Sequence, residues 1–247
     1  TNLELNANGS SAANFATNVI NAKVYYTGTS STFSTSKLFG SATPSIGTYN
    51  VTGSQKLYNG DNYFWLVYDL AAGAVIGDTL DAECTNTTIN ATNYAPAPSA
   101  PSGFRIIQGP MNGNYNIGAG QTSPNFPSLT NAVFDLNNRG VSGAVTLTLL
   151  DAAYNTTTGE TFPIIVDTIF NSSSTNTVTL KPGAGVNSTI SGSILFNSLL
   201  RLYRTDHFKI DGSNNGTDTR NLTISNTSNS SMATCVSLQS NGVGSGA

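Results

Sequence analysis

The sequence predicts an all-β protein in two units, on three observations. Thr (33), Asn (30), Ser (29) and Gly (24) supply 116 of the 247 residues, while charged residues make up 9%, against roughly 25% in an ordinary soluble domain. Short runs of β-branched and aromatic residues alternate with Gly, Ser, Asn and Pro turns along most of the chain. One proline-rich stretch, Thr92 to Gly103, interrupts that pattern with Pro96, Pro98 and Pro101. It favours an extended spacer over a central strand or a helix interior. The composition argues against a coiled coil or helical bundle, which would need Glu, Lys, Ala and Leu in bulk. With 38% apolar and 9% aromatic residues the chain can still fill a core, which argues against general disorder. The net charge of −3 leaves no electrostatic footprint for nucleic acid or anionic lipid.

Residues 1–91 read as an antiparallel sandwich, 92–103 as a linker and 104–247 as a second β unit. In the first unit the expected strands are Leu3 to Asn6, Val19 to Thr27, Ile46 to Thr52, Asn62 to Leu70 and Leu80 to Ile89. The run Tyr63-Phe64-Trp65-Leu66-Val67-Tyr68 is apolar on both faces, which predicts a place in the middle of a sheet. The chain begins almost inside a strand, so earlier strands of this sandwich are expected to be missing.

The second unit opens differently. Leu129, Ala132, Val133 and Leu136 fall at i, i+3, i+4 and i+7, Ser128 can cap the amino end, and Gly140 sits just beyond the last turn. The spacing predicts one short helix over 129–138. From Ala144 onward short strands return: Val145 to Leu150, Pro163 to Val166, Thr177 to Leu180, Thr189 to Ser191, Leu199 to Tyr203, His207 to Ile210, Leu222 to Ser225 and Val236 to Leu238. A second sandwich gives such spacing, and so does a solenoid of stacked β coils. Phe208 and Ile210 share one face, while His207 and Lys209 take the other. The same in-out-in triplet recurs in Leu222-Thr223-Ile224 and Val236-Ser237-Leu238, which is what a narrow coil interior needs.

Three ordered motifs carry a family resemblance over roughly residues 1–90: Ala22-Lys23-Val24-Tyr25-Tyr26-Thr27-Gly28-Thr29-Ser30-Ser31-Thr32-Phe33-Ser34, Gly60-Asp61-Asn62-Tyr63-Phe64-Trp65-Leu66-Val67-Tyr68-Asp69 and Gly77-Asp78-Thr79-Leu80-Asp81-Ala82-Glu83-Cys84. They resemble the β-sandwich module, jelly-roll or Ig-like, associated with the amino end of BNR-repeat neuraminidases in secreted surface proteins of the Bacteroidetes. More loosely, Phe126-Pro127-Ser128-Leu129-Thr130-Asn131-Ala132-Val133, Asn138-Arg139-Gly140-Val141-Ser142-Gly143 and His207-Phe208-Lys209-Ile210-Asp211-Gly212-Ser213 resemble the start of a right-handed parallel β-helix of the pectin-lyase-like superfamily. In such folds a short helix caps the first coil and hides its unpaired strand edges, and the helix over 129–138 stands where that cap belongs. Sialidase chemistry is not implied. The aspartate-box pattern is absent, the only Trp lies inside a strand, and four arginines remain once Arg105, beside the linker, is set aside.

The densest polar cluster is Arg201 to Asp211, from which Tyr203, Arg204, His207 and Lys209 are the candidate ligand-binding residues. Cations there could neutralise an acidic sugar and a base could take its proton. The simpler reading, favoured here, is outward residues of successive coils that pair with each other in water. Asp78, Asp81 and Glu83 could ligate a hard cation through oxygen, but no ligand-rich loop surrounds them, so turn residues in solvent are expected and no metal or other cofactor is assigned. Gly118-Ala119-Gly120 does not join a strand to a helix as a phosphate cradle requires and reads as a turn. Cys84 and Cys235 fall in different units and read as two buried free thiols, with a partner beyond this sequence as the alternative for Cys84. Sequons at Asn8, Asn50, Asn86, Asn90, Asn155, Asn187 and Asn221 arise by composition alone. The resemblance implies another signal, Asp-Ser/Thr followed by an apolar residue, which marks Thr79 and Thr168 for O-glycosylation.

These readings converge on a structural or adhesive segment of a large secreted cell-surface protein. Its partners would be extracellular glycans or surface proteins, met by exposed aromatics such as Tyr25, Tyr58 or Tyr203. The resemblance adds type IX secretion, the secretion machinery as a further partner, and a place among surface or gliding adhesins. The alternative is a non-catalytic part of a sialidase or polysaccharide lyase whose active site lies elsewhere. No run reaches the 18 apolar residues of a membrane span. With Thr at position 1, no signal peptide, and a flexible Gly- and Ser-rich end from Ser240, the chain is expected to be a piece of a longer protein.

Overall fold

The computed structural model describes residues 1–240; the Gly- and Ser-rich end expected to be flexible lies, from 241 on, outside the described residues. The protein is mostly β-sheet, and it divides into two compact units, Thr1–Gln108 and Gly109–Ala247.

The first unit contains β1 (Asn2–Asn6), a single helical turn α1 (Phe15–Asn18), β2 (Val19–Tyr26), β3 (Leu38–Ala42), β4 (Thr48–Thr52), β5 (Phe64–Leu70), β6 (Thr79–Leu80), β7 (Glu83–Ile89), β8 (Thr92–Tyr94) and β9 (Arg105–Ile106). They pair antiparallel in the orders β4-β1-β7-β8, β3-β2-β5 and β6-β9. Period-two alternation sends Leu3 and Leu5 of β1, Val24 and Tyr26 of β2 and Val51 of β4 into one shared core. The proline-rich stretch runs with this unit. Thr92–Tyr94 extends the first sheet, the Cys84 N–H donates to Ser99 O at 3.0 Å, and Arg105–Ile106 pairs with β6.

One expectation fails here. The apolar run in β5 is an edge strand, and β2 occupies the centre of its sheet. The apolar outer face of β5 is covered by a loop instead of by neighbouring strands. Phe33 sets its ring edge-on to Trp65 at 5.7 Å and to Tyr25 at 6.2 Å, and the Trp65 indole N–H donates to the Thr27 hydroxyl at 2.9 Å.

The second unit contains β10 (Met111–Ile117), α2 (Leu129–Arg139), β11 (Val141–Leu149), β12 (Ala153–Tyr154), β13 (Ile164–Val166), β14 (Val178–Pro182), β15 (Ser188–Gly192), β16 (Ser198–Tyr203), β17 (Phe208–Ile210), β18 (Leu222–Asn226) and β19 (Thr234–Gln239). All eight strands expected after Ala144 form, and their pairing is parallel in three sheets: β10-β11-β14-β17, β12-β15-β18 and β13-β16-β19. From β11 on, the chain visits the three sheets in fixed rotation. Partners in register are therefore separated by one round of chain: Val145, Val178 and Phe208 by 33 and 30 residues, and Ile164, Leu200 and Val236 by 36 and 36. Inward side chains of successive rounds line one continuous core, among them Leu147, Leu180, Ile190 and Leu200.

Helix α2 forms where the periodicity places it, and its buried residues are Leu129, Ala132, Val133 and Leu136. The Ser128 hydroxyl accepts the Asn131 N–H at 3.2 Å, and the Gly140 N–H closes the last turn onto Leu136 O at 2.9 Å. The helix also serves the outer edge of β13. The Asn137 amide donates to Ile165 O at 2.7 Å and accepts the Asp167 N–H at 3.0 Å, so one side chain satisfies two backbone groups of that edge. Deeper in, the Tyr154 hydroxyl donates to Ile117 O at 2.6 Å and accepts the Asp151 N–H at 3.0 Å, while burial pushes its phenol up to about 12.

Candidate functional site

Alternation along β16 turns Leu200 and Leu202 into the core and leaves Arg201 and Tyr203 on the outer face. The chain then turns at Arg204, whose φ of 54° lies in the left-handed region. That turn lays the Arg204 guanidinium over the Tyr203 ring at 4.5 Å, and Arg201 approaches the same ring at 5.7 Å. Arg204 is held by a two-pronged pair with Asp167, Nε to Oδ1 at 3.2 Å and Nη2 to Oδ2 at 2.9 Å. Arg201 donates from Nη2 to Gln239 Oε1 at 2.6 Å, and its buried Nε has no hydrogen-bond partner.

The sequence-derived candidates separate in space. Tyr203 and Arg204 join Thr168, which had been singled out for a different reason: its hydroxyl donates to Arg204 O at 3.2 Å and its N–H to Asp167 Oδ1 at 2.6 Å. His207 lies exposed in the following turn with φ 56°, and Lys209 is exposed on β17, which belongs to another sheet. Among the described residues no hydrogen bond or ion pair ties either of them to the cluster. Asp167, Arg201 as a ring partner and Gln239 were not singled out. Their signal is spacing, because Asp167–Arg204 and Arg201–Gln239 are 37 and 38 residues apart, about one round of the chain. The arrangement is a half-buried tyrosine ring with two guanidinium groups packed against it, one of them paired with Asp167.

The Arg204 guanidinium beside Asp167, helped by the Thr168 N–H, holds that carboxyl below the usual carboxylate range. A depressed carboxylate contributes stability that is present above its ordinary pKa of 3.8 and lost as pH falls through the lowered value. Asp167 is therefore expected to titrate below 3.8 when carboxylate carbons are followed by NMR, and Arg204→Ala is expected to return it toward that value. An unchanged titration in the variant would show that the pair does not hold in solution.

In the first unit the other candidates are drawn into hydrogen bonding. Asp78 Oδ2 accepts from the amides of Asn14 at 3.0 Å and Asn18 at 2.7 Å, and the buried Asn18 also accepts the Val75 N–H at 2.7 Å. Asp81 Oδ1 accepts the Ala82 N–H at 2.8 Å, and Glu83 Oε2 accepts from Asn6 at 2.7 Å. The Thr79 hydroxyl lies 3.2 Å from that of Ser11 and donates to Gly9 O at 3.3 Å. Among the described residues no group of three or more His, Cys, Asp or Glu is placed to hold a metal ion. Both cysteines are free and half-buried, not buried as expected. Cys84 faces incompletely filled space between strands, and Cys235 sits on β19, the outermost strand of its sheet.

Residues 14–93 match the family described as the N-terminal domain of BNR-repeat neuraminidase. No curated protein and no solved structure matches the chain. Among the described residues no helix is long and apolar enough to cross a membrane.

Proposed function

We propose that the chain is a structural or adhesive, non-catalytic segment of a large secreted cell-surface protein. In this reading residues 1–91 are a β-sandwich module, 92–103 a proline-rich connector and 104–247 the first coils of a right-handed parallel β-helix. The observation that carries it is the rotation of the chain through three parallel sheets at intervals of 30 to 36 residues. Stacks of that kind lengthen without new topology, because each round contacts only its neighbours. The right hand is the usual one for parallel crossovers. A surface of Asn, Ser and Thr with few charges suits an extension beyond the cell, with Thr79 and Thr168 as O-glycan acceptors and type IX secretion as the export route.

Glycans would be gripped by the outer face of β16, where Tyr203 supports the Arg201 and Arg204 guanidinium groups packed on its ring and these donate from their remaining N–H groups to hydroxyl or carboxylate oxygens. His207, in the following turn, and Lys209, on β17 of another sheet, would add contacts only from outside that face. A glycan array probed with the intact chain tests this. Acidic glycans are expected to bind, and Tyr203→Ala to weaken binding about tenfold, the equivalent of about 1.4 kcal/mol. No binding to any glycan would remove the recognition part of the reading.

A second reading is favoured by the match of residues 14–93: a non-catalytic part of a sialidase-like enzyme whose active site lies outside these residues. Release of sialic acid by the intact gene product would favour it over an adhesin.

A further inference from the structure

Independently of that reading, we propose that the first unit binds a single-chain aliphatic alcohol in an apolar cavity between two of its antiparallel sheets. The cavity is half-open to the surface and holds about 520 Å³, inside the roughly 300–1,000 Å³ typical of small-molecule sites. Leu5 of β1 and Ile89 of β7 contribute to one wall, Phe64 and Leu66 of β5 to the other, and the prolines of the 96–101 strap to a third. The space stays open for a stated reason. Edge strand β5 has no further neighbour in its sheet, and Pro96, Pro98 and Pro101, which also line the space, carry no N–H that could pair with an edge. As a result Phe64, Leu66 and Cys84 are only partly buried where they meet the core, although Leu5 and Val24 beside them are closed off.

The lining is mainly apolar, with Asn62, Glu83, Thr87 and Ser99 among its polar members, the mixture of apolar walls and a few polar groups that small-molecule sites share. An alkyl chain satisfies the walls. The head group is set by the charges that face the space. Glu83 lines it with Oε2 occupied by Asn6, which leaves Oε1 to accept from a hydroxyl and repels an anion.

The two free cysteines supply the test, because Cys84 lines the cavity and Cys235 belongs to the other unit. Iodoacetamide alkylation of the intact chain is followed at both sites by mass spectrometry, with 1-decanol or decanoate present. Saturating decanol is expected to slow Cys84 about tenfold and leave Cys235 unchanged. Leu66→Trp, which fills the space, is expected to slow Cys84 without decanol and to abolish any further effect of it. No protection of Cys84 in the unsubstituted protein, or equal protection of both cysteines, overturns the site. Protection by decanoate equal to that by decanol overturns the assignment of the head group.

Discussion

Replacing Glu160 by alanine is expected to lower the stability of the second unit by about 3–4 kcal/mol. Glu160 is 3% exposed, and its carboxylate sits at the amino end of α2. Oε1 accepts the Leu129 N–H at 2.8 Å; Oε2 accepts the Thr130 N–H at 2.8 Å and the Thr130 hydroxyl at 2.6 Å. Both N–H groups belong to the first turn of a helix, where no carbonyl precedes to receive them. Each bond to a charged group is worth about 1.5–3 kcal/mol, and the negative charge at a helix amino end adds up to about 1 kcal/mol. The terms share one carboxylate, so they do not sum. Alanine would leave one buried and one partly buried donor that Ser128, engaged with the Asn131 N–H, does not reach. Glu160→Gln, which keeps a single acceptor oxygen, is expected to cost about half as much. Urea unfolding followed by far-UV circular dichroism measures the loss, and amide exchange at Leu129 and Thr130 localises it. A cost under about 1 kcal/mol would mean that water already satisfies that helix end.

How much of this was legible depended on the range of each interaction. Helix α2 could be read because its apolar period, its Ser128 cap and its terminal Gly140 are all local. The strands after Ala144 could be read because an in-out-in triplet is local too. The partners of those strands could not, because they lie one round away and the rounds differ in length: 33 and then 30 residues from Val145 through Val178 to Phe208. The candidate site inherits that blindness. Tyr203 and Arg204 stood out as a dense polar run, while Asp167, which fixes Arg204, had no signal except its 37-residue offset. Trp65 and its neighbours misled for another reason. A strand apolar on both faces announces that both are covered, without saying whether strands or the loop bearing Phe33 covers them.

The stacking order of the second unit gives the sharpest energetic contrast. Tyr115, Leu147, Leu180 and Ile210 occupy one inward column on consecutive strands β10, β11, β14 and β17. Leu147 and Leu180 are fully buried, whereas Ile210, on the outermost strand, is 36% exposed. Leu147→Ala and Leu180→Ala are each expected to cost about 3–5 kcal/mol, the transfer of the lost side chain plus a cavity that rigid neighbouring strands do not close. Ile210→Ala is expected to cost about 1 kcal/mol, since much of that side chain already meets water. Pairwise combination then tests which strands touch. Leu147 and Leu180 stand on adjacent strands about 4.8 Å apart, so their double variant should depart from additivity by about 0.5–3 kcal/mol. Leu147 and Ile210 are separated by β14, and their double variant should add to within about 0.5 kcal/mol. Denaturant unfolding of the three single and two double variants measures all five costs. Coupling between Leu147 and Ile210 as strong as that between Leu147 and Leu180 would be incompatible with β14 lying between them, and with it would fall the stacked rounds on which the outer face of Tyr203 and Arg204 depends.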